Sequence, residues 1–280
     1  GMKKFIRLGL MDNIDMMIMQ HTSITEKPGA EEWSKGNAGG AVGKGFVGKL
    51  IQYIGRESHA AMPSQGINAL KAAQLGLSAI DANREAFRDE DGIRVHPIIT
   101  KGGDLVNVVP ADVRIETYVR GSNTKAIFEA SEKVDRALQA GAYALGAKCV
   151  ITQLPGYMCP YESEELKDVV YDNLKYVLGE KNCHRNGPGG STDASDVSNI
   201  MPVVHMRIGG ARGVGHGADY EIARPDLAVV AAAKIMACTA IDLLADGAEK
   251  ALNVKANFKA PMTKEEYLTQ WCHLEKGVDF

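Results

Sequence analysis

The period of hydrophobic and polar positions changes several times along the chain, and each change marks an element. Across residues 112–120, Val113, Ile115, Thr117 and Val119 alternate with Arg114, Glu116 and Arg120, a period of two that predicts a strand with one buried face. Residues 46–54, 93–100 and 148–154 read as further strands. Residues 66–87 place Leu70, Ala73, Leu77 and Ile80 at helical spacing, and residues 124–145 predict a second helix stopped by Gly146. The order β-α-β-β-α-β over 44–155 is the split βαβ pattern of a ferredoxin-like two-layer sandwich, and a strand at the edge of its sheet is a natural place for a second copy to pair. Beyond it come a helix at 164–178, a glycine-rich loop at 187–190, a strand at 203–208, a loop bearing His216 and a helix at 226–245. That is half of an α/β domain, to which the first 40 residues add about one strand. Six glycines within residues 36–48 read as a flexible connector and set a boundary near residue 44.

A chain of 280 residues can bury a sizeable core in one large or two medium domains. Its 32 basic and 35 acidic residues give a net charge of -3, so there is no electrostatic case for nucleic acid or an anionic membrane; small molecules or proteins are the expected partners. Five cysteines without a C-x-x-C pair suit reduced thiols in the cytoplasm. Met2-Lys3-Lys4-Phe5 opens like a signal peptide, but Arg7, Asp12 and Asp15 break the apolar run, and Gly1 reads as a remnant of tag removal. The apolar run 227–244 is interrupted by Lys234 and Asp242 and predicts a buried helix rather than a membrane span.

Gly43-Lys44-Gly45-Phe46-Val47-Gly48 matches G-x-G-x-x-G, yet lacks the preceding strand and following helix that aim such a loop at a pyrophosphate, and it reads as linker. Gly187-Pro188-Gly189-Gly190-Ser191 lacks the lysine of a phosphate loop. His59 follows a strand and precedes Pro63; it is a substrate contact or a satisfied structural histidine. Asn107, near Gly102-Gly103, offers an amide to a carboxylate or makes a turn. His21 and His216 are candidate metal ligands, or again structural. Ser191-Thr192-Asp193 and Asp196-Val197-Ser198 cap a helix, line a site, or do both; no G-x-S-x-G elbow accompanies them, which excludes a serine nucleophile of that type. His96, His184, His205 and His273 carry no recognisable context and read as structural.

Taken in series, the His59 segment, Gly102-Gly103 to Pro110, Val119-Arg120, Ser191 to Ser198 and Gly215-His216 resemble the zinc-dependent aminoacylase and carboxypeptidase family of amidohydrolases. The Ser-Thr-Asp-x-x-Asp-Val-Ser string is most similar to the aminobenzoyl-glutamate hydrolase branch. The resemblance implies an α/β plus α+β fold: a partial zinc-peptidase-like α/β catalytic domain at 1–43 and 156–280, interrupted by a ferredoxin-like lid at 44–155 that dimerises. It implies a two-metal site holding zinc, with manganese or cobalt as alternatives, to which His21 and His216 are ligands. It implies substrate contacts from His59, Asn107 and Arg120, with His59 reaching across the dimer, and hydrolysis of the amide bond of N-acyl amino acids, aminobenzoyl-glutamate-like compounds or small peptides. In the family the other ligands and the general-base glutamate lie in an upstream segment with no counterpart here. Glu31-Glu32 follows His21 and takes no role, so no catalytic residue is assigned. The expectation is a chain incomplete by itself, either joined by a separately encoded N-terminal catalytic fragment or cut from a longer enzyme; the rival expectation is a dimerising or binding remnant without chemistry.

Overall fold

The computed structural model describes residues 1–24, 36–40, 43–187, 190–272 and 276–279. Along the chain the elements are α1 (Met2–Arg7), β1 (Met17–Ile24), β2 (Gly36–Gly40), β3 (Gly45–Ile54), α2 (Ala69–Ala82), β4 (Arg94–Val95), β5 (Ile98–Lys101), β6 (Asp112–Gly121), α3 (Thr124–Leu145) and β7 (Lys148–Pro155). There follow α4 (Glu164–Leu178), β8 (Cys183–Gly187), α5 (Ala194–Ser198), β9 (Val203–Arg212), β10 (Glu221–Ile222), a helix Asp226–Leu244 with a π-wound first part (α6), α7 (Glu249–Asn257) and β11 (Lys276–Asp279). They form two compact units, Gly1–Gly43 with Pro160–Lys264, and Lys44–Cys159 with Glu265–Phe280.

The first unit is a mixed α/β sheet in the order β1-β9-β2-β8, with β10 on β9. β1 runs parallel to β9, and β2 antiparallel to β9 but parallel to β8. Val204, Met206 and Ile208 of β9 face one side of the sheet, where Leu166, Val170 and Leu174 of α4 and Leu227, Ala231 and Ile235 of α6 close a dry core. Ser163 caps α4, its Oγ accepting from the Leu166 amide at 3.3 Å.

The stretch expected to be a flexible connector is instead a buried strand. β2 lies in the middle of the sheet, and its glycines are there for room: a Cβ on Gly36 would sit 2.8 Å from Leu174 Cδ2 and 2.9 Å from Leu178 Cδ1. Composition reported glycine; only the packing of α4 told whether it meant mobility or close approach. The G-x-G-x-x-G string likewise runs into β3.

The second unit is an antiparallel sheet, β11-β7-β3-β6-β4 with β5 also on β6, covered on one face by α2 and α3. Asn68 and Asn123 cap the two helices by accepting from the Lys71 and Ala126 amides, and Gly146 ends α3 in the left-handed conformation. Val113, Ile115, Thr117 and Val119 are buried under the helices as the alternation requires. The strand read at 93–100 is broken into β4 and β5 around His96-Pro97, since proline cannot donate to a ladder. The sequence reading ended this unit at 155 and kept all later residues elsewhere. The structure ends its first pass at Cys159 and returns the tail to it, where Tyr267 and Trp271 are buried, Trp271 edge-on to Phe128 at 5.8 Å, and β11 pairs with β7.

α6 forms where expected, and it is the one helix among the described residues long and apolar enough to cross a membrane. It is not fully buried as the sequence suggested: its inner face joins the core while Val229, Val230, Ile241 and Leu244 stay exposed. Glu31-Glu32 and His273 lie outside the described residues.

Candidate functional site

Alternation along β9 and β1 builds a polar face on the first unit. With Val204, Met206 and Ile208 turned to the helices, His205 and Arg207 point to the opposite side, and with Ile18 packed in the core, His21 does too. His21 pairs in register with Arg207, and its ring centroid lies 5.9 Å from that of His205. Over this face sits α5, whose Ser198 Oγ donates to the Ser195 carbonyl at 2.8 Å and accepts from the Tyr161 amide at 2.8 Å. The string 191–198 meets its two readings unequally, since Asp193 stands at the N-cap of α5 without a side-chain hydrogen bond to the helix. It is a helix start, with Thr192 Oγ1 accepting from the Ala194 amide at 3.3 Å, and it lines a hollow with Glu162, Val203, His205 and Arg207. The hollow encloses about 20 Å³, enough for roughly one water. Ser195 Oγ and His205 Nε2 are buried there without a hydrogen-bond partner among the described residues.

Burial, reinforced by the nearby Arg207 and His21, pulls the His205 imidazole down to about 4, against which Asp193 acts only weakly. His205 is therefore neutral at physiological pH. Glu162 anchors the rim: its Oε2 lies 3.1 Å from Lys167 Nζ, with both side chains nearly buried, and its Oε1 accepts from the His205 amide at 3.3 Å.

His216 stands on the loop from β9 to β10 between Gly215 and Gly217, with φ of 65°, a left-handed conformation that costs a β-carbon residue roughly 1–2 kcal/mol. Asp219 Oδ1 braces the loop by accepting from the Val214 amide at 3.2 Å, and Tyr220 donates its hydroxyl to the Thr22 carbonyl at 2.9 Å, tying the loop to the strand that carries His21. The fit to a metal is incomplete. Among the described residues no group of three or more His, Cys, Asp or Glu side chains is placed to hold an ion, and a zinc needs about four ligands.

In the second unit the structure joins two of the three expected substrate contacts. His59 bridges to Val108, the Ala60 amide donates to the Asn107 carbonyl at 2.9 Å, and the Ala61 amide donates to His59 Nδ1 at 3.1 Å, which sets the neutral ring as its Nε2–H tautomer. Lys101 clamps the Asn107 loop, 3.2 Å from Asp104 and 3.1 Å from Asp112. Arg120 is at the far end of β6, stacked on Phe46 at 5.5 Å. At about 3.4 Å per residue it stands roughly 27 Å along the strand from Asp112.

A hydrogen bond from Gln52, then Lys101 and Arg114, hold the Asp112 carboxyl down at about 2. Its folded value lies below its unfolded one, so its contribution is present above about pH 4 and is lost as pH falls toward 2. Asp112→Asn is expected to flatten the acid limb of this unit's stability in that window, read by chemical denaturation at stepped pH; an unchanged limb would remove Asp112 from the account.

Sequence reasoning missed Glu162, His205, Arg207 and Tyr220. For His205 and Arg207 the signal was present: Val204, Met206 and Ile208 alternate with them, a polar face on a buried strand.

In chain order the mixed α/β unit is interrupted by the antiparallel α+β unit. Residues 42–145 match the M20 family model described as a peptidase dimerisation domain. Across 278 residues the chain is 27% identical to the Xaa-Arg dipeptidase of Mus musculus, covering 96% of this chain and 61% of the relative. The aminobenzoyl-glutamate utilization protein from Klebsiella pneumoniae shares the fold at a TM-score of 0.60 and 18% identity, over 92% of this chain and 58% of that one. The Bacillus subtilis YxeP protein, described as a dinuclear metal binding peptidase of the M20 family, gives a TM-score of 0.62 at 17% identity, over 87% and 61%. The chain thus spans about three fifths of the relatives it matches.

Proposed function

We propose that this chain is part of a metal-dependent amidohydrolase that cleaves the amide bond of N-acyl amino acids, aminobenzoyl-glutamate-like compounds or dipeptides. The observation that carries the reading is the placement of the insertion: a dimerisation domain is entered after Gly43 and left at Cys159, between the strand bearing His21 and the glycine loop bearing His216. Zinc, with manganese or cobalt as alternatives, would be held by His21 and His216 together with ligands from a separately encoded N-terminal fragment that also brings the general base. When bound, the metal would acidify a water for attack on the amide. The chain's own part is to present two imidazoles, to keep His205 neutral beside His21 and to supply His59, Asn107 and Arg120 for the substrate.

The lid supports a homodimer. Its β5 edge exposes Ile98 and Ile99, and His59 follows β3 at the Ile54–Asp112 end of the sheet, whereas Arg120 stands at the other end of β6, too far for both to meet around one small substrate. With two copies, His59 from one can serve the site that Arg120 of the other addresses. Localisation in the cytoplasm is supported by the five cysteines, none in a disulfide among the described residues.

The test is reconstitution. The chain by itself is expected to bind zinc at least tenfold more weakly than its assembly with the fragment, by equilibrium dialysis, and to leave N-acetyl amino acids, aminobenzoyl-glutamate and Xaa-Arg dipeptides intact. The assembly should hydrolyse at least one, and His59→Ala should cut its kcat/KM by at least tenfold while dimer and zinc are retained. An assembly saturated with zinc that cleaves none of them ends the proposal. The second reading, a dimerising remnant, requires His21→Ala and His216→Ala to change nothing.

A further inference from the structure

The hollow under α5 holds two polar atoms that the fold leaves unused. Ser195 is 1% exposed and His205 8%, and Ser195 Oγ and His205 Nε2 have no hydrogen-bond partner among the described residues. Buried polar atoms are nearly always paired, because an unpaired one has given up its bonds to water for nothing. A single water would satisfy both, and it would leave a third feature unexplained. Arg207 lines the same hollow, and burial works against its charge, with Glu162 as the opposing influence. That carboxylate is committed elsewhere: its Oε2 lies 3.1 Å from Lys167 Nζ, and its Oε1 accepts from the His205 amide at 3.3 Å. Asp193, whose charge also reaches His205, accepts from the Met2 amide at 3.2 Å through Oδ2. A Cβ on Gly190 would stand 3.2 Å from Arg207 Nη2, so glycine there leaves room at that nitrogen.

A guanidinium, a hydroxyl and an imidazole nitrogen around one hollow describe the group that they lack. The guanidinium offers a planar fork of donors that matches a carboxylate, and the hydroxyl and the imidazole can each donate to a further oxygen lone pair. An ammonium or a second guanidinium would meet like charge at Arg207. The hollow encloses about 20 Å³, room for one oxygen-sized group, which suits the end of a planar carboxylate better than a bulkier tetrahedral phosphate. Its location ties that group to the site already described. Arg207 is the direct parallel neighbour of His21, with the two strands about 4.8 Å apart, so an anion held by Arg207 lies within one small molecule's length of His21.

We propose that Arg207, Ser195 and His205 form a subsite for a side-chain carboxylate of the substrate, so that the preferred substrates are amides of acidic amino acids. The inference rests on the hydrolase reading above and narrows its substrate class. Every amide of an amino acid carries an α-carboxylate, which the contacts assigned to His59, Asn107 and Arg120 can serve. A separate cationic subsite on the first unit is needed only for a second acidic group.

The test is isothermal titration calorimetry of the full chain with N-acetyl-L-glutamate and with its neutral isostere N-acetyl-L-glutamine, without added metal. The acidic ligand is expected to bind at least about tenfold more tightly, with a preference that shrinks as salt is raised. Arg207→Met should bring the two ligands within roughly twofold of each other while leaving the affinity for the glutamine derivative unchanged, and Arg207→Lys should restore part of the preference. Ser195→Ala, a small independent change, should lower the preference by about threefold or more, with folding of each variant checked by circular dichroism. Equal affinities in the unaltered chain, no binding of either ligand, or a preference that survives Arg207→Met overturns the proposal; should that variant fail to fold, a preference undiminished in Ser195→Ala overturns it. Acidic preference in a chain whose reconstituted, zinc-saturated assembly cleaves no amide leaves the subsite and ends the hydrolase reading. An assembly that hydrolyses N-acetyl-L-arginine and N-acetyl-L-glutamate with equal kcat/KM ends the subsite and leaves that reading.

Discussion

Gly141→Val is expected to unfold the second unit at moderate temperature. α2 and α3 cross at Gly76 and Gly141, where a Cβ on Gly141 would sit 2.4 Å from the Ala72 carbonyl oxygen and 2.4 Å from the Gly76 amide nitrogen. Those are backbone atoms of a helix, and they cannot rotate away as a side-chain end can. The helices would have to separate, losing contact along Ala69, Ala72, Ala73, Leu138 and Ala142, all buried. Overpacking in a well-packed core costs roughly 1–3 kcal/mol, and a clash with the backbone of α2 at two residues puts this one at or above the top of that range. For a domain of this size about 3 kcal/mol lowers the melting temperature by roughly 10 °C or more. Differential scanning calorimetry reads it; a shift under about 3 °C would mean that the helices cross elsewhere.

Lys49→Ala should cost as much by a different route. Lys49 lies on the covered face of β3 with its side chain fully buried, 2.7 Å from Asp135 Oδ1 and donating to Gln153 Oε1 at 2.8 Å, which also accepts from Ser131 at 2.6 Å. Burial pulls Lys49 down and pushes Asp135 up, so each charge persists because the other faces it. Removing the lysine leaves a half-buried carboxylate unopposed and opens a void, a loss of about 3–5 kcal/mol. The discriminating measurement is a cycle. Asp135→Leu combined with Lys49→Met should recover most of the stability lost in Lys49→Ala, because an apolar pair of similar volume needs no compensating charge. A double variant as unstable as Lys49→Ala would mean that shape, not charge, sets the cost.

Both predictions concern interior features that the sequence did not announce. Gly76 and Gly141 sit in helices that periodicity placed well, yet nothing in the spacing says that they face one another. Lys49 occupies a position where the strand alternation predicts an apolar side chain, and its partner is 86 residues away in α3. The site shows the same division. His59 and Asn107 were legible as a pair of motifs and meet through Ala60, while Tyr220, which ties the His216 loop to β1, had no local signal because the bond joins residues 198 apart.

The sequence by itself determined the elements and their kinds: α3 and α4 at the residues that their caps and periodicity mark, the alternating strand β6, the order of the inserted unit, and the motifs resembling an amidohydrolase. These rest on interactions between residues a few positions apart, where spacing and chemistry suffice. The tertiary structure decided what depends on distant chain segments meeting. It made the glycines of β2 a central strand instead of a hinge, returned Trp271 and the tail to the second unit, buried Lys49 against Asp135, turned His205 and Arg207 onto the face of His21, and left half of α6 uncovered. A local pattern states which side of an element is apolar. Which surface covers that side, or that none in this chain does, is settled only when the rest of the chain has packed.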